Sequence, residues 1–419
     1  MGIDLALFIG RSFVEIGWLD QGCAVTRRCA LDGPVSDCVV ALMVDSRLCL
    51  KSIDSVLIGT SLADDNLVDG HVSRTALVES NATSRQAHDA GHTTDRLVIP
   101  NELRLSVDEP GDYDGCAGAF SDSEIGRIAS ELDHLEIDSV AICLSSAESQ
   151  HGNEVALAKA LQSRHPCMPV FLSCLSEVSR APIKRLETVC GDALLSPVLA
   201  ETFIPLLREM RRLELPEPIV LDGRGREVTL AECMNRAGVL RGSQYACLSF
   251  ASSRMAAAAG DRAILALAWT TSASQAWSVA GDGTYMAHQL VANAGPRLSL
   301  KRTSEGVVIR DERDWRLRSA SILNRDDEIY DLARRIENDL GCDQSSYNAM
   351  VVDEAVNHDV AEAIARQLGI REIALFPRDV QCLGLIVKAA SRSQGPASAN
   401  AGLSLDALNV AWQTVDQRS

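Results

Sequence analysis

The pattern of this chain is that of an α/β protein with two lobes. Apolar runs of strand length alternate with longer amphipathic stretches, the order expected when helices cover a largely parallel sheet. A tight strand–turn–strand segment opens the chain at residues 6–20, and a second of the same kind spans residues 261–283. With 419 residues, 46% of them hydrophobic, the chain is long enough for two or three buried cores.

In the first half, strands are predicted at 5–10, 13–19, 55–59, 74–78, 138–144 and 168–172, and helices at 34–49, 122–135 and 152–164. The last helix, GNEVALAKALQSR, gathers Val155, Ala158 and Leu161, with Leu157, on one face. A longer helical stretch over 185–213 is expected to break or bend near Pro197 and Pro205, because proline removes a backbone donor and crowds the preceding turn. Residues 80–96 are polar and read as a surface loop.

The second half restarts at Ile219 with a strand, then a helix near 229–237, a strand at 246–250 and a helix at 251–259. After the hairpin within 262–280 come a helix near 326–340, a strand at 349–353, a helix at 358–368, a strand at 371–375 and a helix at 379–390. Residues 391–403 read as a linker to a C-terminal tail. The expected domains are therefore 1–215, 216–390 and a tail of 391–419.

A net charge of −17 disfavours nucleic acid and anionic membrane surfaces as partners. No uninterrupted apolar run has the length of a membrane span, so no transmembrane helix is expected. The N-terminus MGIDLALFIG has no basic region and enters a strand directly, which predicts no signal peptide. Ala6 stands where a myristoylation motif needs Ser or Thr. The 13 cysteines form no CxxC pair and no Cys/His cluster of zinc spacing. They read as small buried hydrophobes in a reducing, cytoplasmic compartment, and no metal ligands are assigned.

The two hairpins carry the functional reading. A phosphate-binding hairpin of this shape needs an acid ending its first strand to hold a metal-bound water. It also needs glycines, so that N–H groups can close on phosphate oxygens. In ALFIGRSFVEIGWLD, Phe8 holds the acid's place and Arg11 that of the second glycine. In the second hairpin Thr270, Thr271 and Ser272 lie at the turn, while Ala266 and Ala273 occupy acid positions. Two such hairpins, one per half, resemble those of the actin–hexokinase–sugar kinase superfamily. That resemblance implies two ribonuclease H-like lobes with an inter-domain cleft.

A narrower resemblance runs collinearly from about residue 5 to 390, to the hydantoinase A/oxoprolinase family. IGTSLADDNLV (58–68) is similar to that family's IGTTxxTNAxV, and PGDYDGCAGAFSDSEI (110–125) to GGxxYDGxxIxxLDxxEI. IDSVAICLSSAESQHGNEVAL (137–157) resembles VxAVAVxxxFSPVNPxHE, with Glu154 in register. LSCLSEVSRAPIKRLETVCGDALL (172–195) resembles LSHEIGRIGLLERENATILNAAL; it keeps Arg185 and has Asp192 for the family's Asn. Leu221-Asp222-Gly223 is similar to the NDGT turn, and residues 349–390 share the layout of the closing, adenine-clasping region.

The resemblance implies ATP- and Mg²⁺-assisted hydrolysis of cyclic amides such as hydantoins, 5-oxoproline or lactams, with a hydantoinase B-type partner subunit; a homo-oligomer is the alternative. It also implies that Gly10, Ser12, Gly59, Thr60, Thr270, Thr271 and Ser272 frame a nucleotide and that Asp222 lines the cleft with Arg185 and Asp192. The departures fall on the chemistry: without acids at Phe8, Ala266 and Ala273 little is left to hold Mg²⁺, and ATP hydrolysis is not expected. A catalytically inactive relative, serving as subunit or ligand-binding module, is the competing expectation.

Other residues carry two readings each. Asp64 and Asp65 make a carboxylate pair suited to a divalent cation or to acid–base work, against a solvated loop. Thr270, Thr271 and Ser272 read equally as a polar β-turn. Glu15 keeps a carboxylate one methylene further out than the family's Asp, suited to a metal, against an outward residue on a strand. Asp4 would return an acid to the site under a slipped register. Arg11 would meet an anion, or solvent. His151 and Glu154 have ligand spacing on a helix, and N-terminal capping explains the Glu equally well.

Overall fold

Strands rich in Val, Ile, Leu and Ala, punctuated by short turns, build three larger sheets in this chain. The computed structural model describes residues 2–80, 99–109, 120–145, 151–175, 182–258, 264–269, 274–279, 298–303, 306–311, 349–352, 358–375, 380–394 and 413–414. In chain order come β1 (Ile3–Ile9), β2 (Phe13–Asp20), β3 (Cys23–Ala30), α1 (Val35–Asp45), β4 (Ile53–Thr60) and α2 (Leu62–Asp69). Next are β5 (Thr75–Ser80), β6 (Arg104–Val107), α3 (Asp122–His134), β7 (Ser139–Cys143), α4 (His151–Arg164), β8 (Val170–Leu172) and α5 (Pro182–Arg212). Then follow β9 (Ile219–Leu221), β10 (Glu227–Thr229), α6 (Leu230–Asn235), α7 (Ser243–Ala258), β11 (Ile264–Trp269) and β12 (Ser274–Val279). The last are β13 (Leu298–Thr303), β14 (Gly306–Asp311), β15 (Ala349–Val352), α8 (His358–Gln367), β16 (Glu372–Leu375), α9 (Val380–Gln394) and β17 (Gln413–Thr414).

Contacts divide the chain into two units, Met1–Asp69 with Ile204–Leu230 and Leu240–Ser419, and Gly70–Phe203 with Ala231–Val239. The first holds a six-stranded sheet of order β10-β9-β4-β1-β2-β3. Here β1, β2 and β3 form an antiparallel meander, and β4 and β9 run parallel to β1. This arrangement is ribonuclease H-like. The five-stranded sheet, β12-β11-β15-β16-β17, repeats its centre: β11 pairs with β12 as a hairpin and with β15 in parallel, and β16 follows in parallel.

Two helices, α7 and α9, pack on each other in this unit, with α9 over β1 and β2 and α7 against β4, β11 and β12. The approach is close enough that only glycine fits at several points. A Cβ on Gly384 of α9 would stand 1.8 Å from the carbonyl oxygen of Cys247 in α7. One on Gly59 would meet the Cys247 sulfur at 2.4 Å, and one on Gly17 the Cys382 sulfur at 2.7 Å. Ala6, Phe8, Leu57, Cys247, Leu385 and Ile386 fill the core between sheet and helices.

The second unit carries a parallel sheet of order β6-β5-β7-β8. Ala76, Val78, Val140 and Ile142 pack with Ile128, Leu132, Leu157 and Leu161 of α3 and α4. Leu77, Ala141 and Cys143 pack with Leu186, Val189 and Ala193 of α5. A sheet buried on both faces reads as continuous apolar runs, which is how these strands appear in the sequence.

The structure corrects several expectations. Helix α5 runs unbroken through Pro197 and Pro205. Pro197 leaves the carbonyl of Ala193 without its helical donor, and the Ser139 hydroxyl supplies one at 2.9 Å. The Leu194 carbonyl likewise accepts from the Ser73 N–H at 2.9 Å. By length and composition residues Arg185–Arg212 would suffice to cross a membrane, but most of that stretch is buried within the protein, and core helices pass the same test. The expected strand at 246–250 is instead part of α7: a short apolar run does not distinguish a strand from a buried helix. Strand β3 was not predicted, since its CAVTRRCA is the polar edge of the sheet, where charged residues deter further pairing. Residues 391–394, expected as linker, end α9. The loop over 81–96, the helix near 326–340 and residues 395–403 lie outside the described residues.

Gly384→Ala is expected to lower stability by about 1–3 kcal/mol, because the added methyl meets backbone that cannot rotate away. Urea unfolding monitored by circular dichroism measures it; an unchanged midpoint would refute the backbone contact.

Candidate functional site

Parallel strands place ligands beyond their carboxyl ends, and Gly10, Gly59, Thr60, Asp64, Asp65 and Asp222 lie at or just after that edge of the six-stranded sheet. Ile9 ends β1 and pairs with Thr60 at the end of β4. The Ile9 carbonyl accepts from the Thr60 hydroxyl at 2.8 Å and from the Ser61 N–H at 3.2 Å. Thr60 Oγ1 in turn accepts from Leu62 N–H at 3.0 Å, starting α2, and the Thr60 N–H donates to Ser243 Oγ at 3.2 Å, at the start of α7.

The acids of α2 complete this knot. Ser61 Oγ donates to Asp65 Oδ2 at 2.6 Å, and Gly242 N–H donates to Asp64 Oδ2 at 2.7 Å. Asp64 and Asp65 therefore lie in the first turn of a helix, Asp65 buried, where a solvated loop was the simpler expectation. Both complement helix N-termini, Asp65 on its own helix and Asp64 at the entry to α7. The Asp222–Gly223 turn lies alongside, since a Cβ on Gly223 would stand 1.8 Å from the Arg241 carbonyl oxygen. Asp222 is buried and accepts from the N–H groups of Arg224 and Arg226 and from Arg226 Nε, each at 2.8 Å, so it holds the turn between β9 and β10.

The first hairpin keeps its shape: Gly10 N–H donates to the Phe13 carbonyl at 2.9 Å, and Ser12, an exposed residue, accepts from Leu31 N–H through its carbonyl. Arg11 is exposed. Phe8, 1% exposed, stacks on Phe13 at 5.8 Å between ring centroids, and the Arg28 guanidinium lies 3.6 Å over the Phe13 ring. Glu15 is not an outward residue: it is fully buried opposite Phe8, with an Arg28 nitrogen 3.3 Å from its carboxylate. Its negative charge, after burial itself, helps push the Cys247 thiol up. Asp4 stays at the start of β1, accepting from Ser55 Oγ; the one register shift along β1 and β4 falls at Ile3/Asp4, so no slip brings an acid to Phe8.

No protein-family model matches the chain, and no curated protein matches it. Solved structures do. A nucleotide-free acetone carboxylase, from work on ATP-dependent acetone carboxylation, overlays with a TM-score of 0.68 at 11% identity, over 92% of this chain and 70% of its own. The ATP-dependent caprolactamase of Pseudomonas jessenii overlays with a TM-score of 0.62 at 13% identity, again over 92% and 70%. The chain has their fold.

Within that fold, the described donors at the β1–β4 edge do not fit a metal–nucleotide complex. The N–H groups of Gly10, Thr60 and Gly242 are given to Phe13, Ser243 and Asp64. Asp65 and Asp222 take their hydrogen bonds from the chain. Gly59 serves helix packing, leaving no room for a side chain under Cys247. Among the described residues no group of three or more His, Cys, Asp or Glu is arranged to hold a metal ion. Thr270, Thr271 and Ser272, with Ala273, lie outside the described residues; the β11–β12 register brings Trp269 opposite Ser274.

In the second unit Arg185 and Asp192 are buried. Glu154 accepts from Leu144 N–H, Ser173 Oγ and Cys174 N–H at 2.6–2.8 Å, which ties β7 and β8 to α4 and accounts for its match to the family motif. The spacing of His151 and Glu154 hinted at a ligand pair, whereas the carboxylate serves backbone. Asp192 accepts from Gly238 N–H at 2.8 Å, and a Cβ on Gly238 would press on that oxygen. Burial, only partly offset by this bond and by Arg236, pushes its carboxyl up to about 7.

Because the folded-state value of Asp192 is raised above 3.8, its contribution to stability is fully present below that pH and is lost as the pH rises to about 7. Asp192→Asn, which keeps the acceptor and restores the residue of the family motif, should flatten this part of the pH–stability curve in urea titrations. A slope equal to that of the parent would refute the assignment. Asp222→Ala is expected to cost roughly 2–4 kcal/mol, since three donors lose their acceptor.

Proposed function

We propose that the chain is a divergent relative of the hydantoinase A/oxoprolinase enzymes that keeps their scaffold without hydrolysing ATP. One observation carries this reading: at the edge where the resemblance sets a phosphate site, the first acid is a core phenylalanine, and the surrounding carboxylates and N–H groups are engaged with one another. In the relatives of known chemistry, ATP dependence belongs to acetone carboxylation and to caprolactam hydrolysis, and cyclic-amide hydrolysis is the activity the sequence resemblance implies. The role that remains is that of a subunit or ligand-binding module, paired with a hydantoinase B-type chain or with a second copy, in the cytoplasm.

The enzyme reading has support of its own in the overlay of 92% of the chain on two ATP-dependent proteins. Calorimetry of the purified chain with ATP and Mg²⁺, then with ATP alone, separates the two. No heat in either titration is the expected result. Saturable, Mg²⁺-dependent binding would sink the proposal and direct attention to Thr270, Thr271 and Ser272.

A further inference from the structure

Among the described residues, Cys29 and Cys38 are neighbours that the sequence spacing did not single out. Cys29 lies near the end of β3, the edge strand of the six-stranded sheet, and Cys38 lies in α1. Both are reduced and partly exposed. Cys38 lies close enough to Cys29 to help burial push the Cys29 thiol up. Cys38 Sγ also sits 4.0 Å from the carbonyl oxygen of Ala30, the residue that follows Cys29.

The backbone on either side is anchored. Leu31 N–H donates to the Ser12 carbonyl at 2.9 Å, and the Pro34 carbonyl accepts from Asp37 and Cys38 N–H at 3.1 and 3.2 Å. The Cys29 sulfur is itself in hydrogen-bond reach of the Val14 backbone. A thiol on the edge strand and one on the helix beside it, with the Cys38 sulfur at the carbonyl next to Cys29, are neighbours of the kind a disulfide can join with little backbone movement.

We propose that Cys29 and Cys38 are a redox modification site that closes to a reversible disulfide when it meets a small disulfide such as oxidised glutathione. The Cys38 thiolate attacks one sulfur of that disulfide and forms a mixed disulfide, expelling the first glutathione thiolate. Cys29, having lost its proton to solvent, attacks the Cys38 sulfur and expels the second. Two electrons pass from the protein thiols to glutathione, and the two protein protons reappear on the two glutathione thiols. Cys29 suits the second step, because burial, with Cys38 beside it, pushes its thiol up and makes it the poorer initial nucleophile. The closed bridge would pin α1 to β3 and, through Leu31 and Ser12, hold the Gly10–Arg11–Ser12 turn.

The full chain, treated with oxidised glutathione, quenched with iodoacetamide and analysed by mass spectrometry, tests this directly. The expected product has lost two hydrogens, carries no glutathione at either position, yields a Cys29–Cys38 linked peptide and reverts with dithiothreitol. Cys38→Ser should abolish the linked peptide, while Cys49→Ser should leave it. Alkylation of both thiols after excess oxidant, a persistent glutathione adduct on Cys38, or linkage of either residue to Cys23 or Cys49 would each overturn the proposal.

Discussion

The contact between the backbones of α7 and α9 is the constraint on which the first unit depends. Gly384 lets α9 reach the Cys247 carbonyl, and Gly17 and Gly59 lower the sheet beneath the same two helices. Interiors packed at crystal density do not absorb an extra methyl at such a point without displacement. The position of α7 then fixes its first residues, and those residues receive Thr60 and Asp64. A family-like motif at 58–60 is thus explained by packing before any ligand is invoked: Gly59 is the seat of a helix and Thr60 the start of the next one.

The same knot shows how an edge rich in polar groups is satisfied from within the chain. Donors that face a ligand are costly to bury unpaired. Here the chain supplies the partners: Asp64 takes the N–H at the entry to α7, Asp65 the Ser61 hydroxyl, and Asp222 its own turn. Such internal pairing adds stability, each bond contributing on the order of 1 kcal/mol.

Much of the fold was legible because its signals are local or periodic. The hairpins at 6–20 and 264–279, the parallel strands of the second unit, and the amphipathic faces of α3 and α4 follow from alternation and spacing alone. What escaped depended on distant partners. Strand β3 carries two arginines because it is an edge, α2 starts only because Thr60 and Ser61 supply its first acceptors, and ACLSF turns helical within α7. Among the candidate residues, pairing singled out Asp64 and Asp65 and the resemblance of its turn singled out Asp222, but neither showed their partners, since Gly242, Ser61 and Arg226 are distant in sequence or unmarked in it. Glu15 misled for the same reason: a carboxylate in a strand reads as solvent-facing until Arg28 on the neighbouring strand is known.

The prolines of α5 deserve a different reading from the one their sequence suggests. A helix that meets a sheet only through Leu, Val and Ala can slide or rotate by small steps at little cost, since apolar contact is non-directional. Pro197 removes that freedom. The carbonyl it releases at Ala193 is met by Ser139 at the mouth of β7, with Ser73 ahead of β5 bonding the neighbouring Leu194 carbonyl, so any other placement of the helix strands a bare acceptor in the interior. The residue expected to break the helix acts instead as a key cut for one lock, converting a greasy contact into an address that the chain finds in one position only.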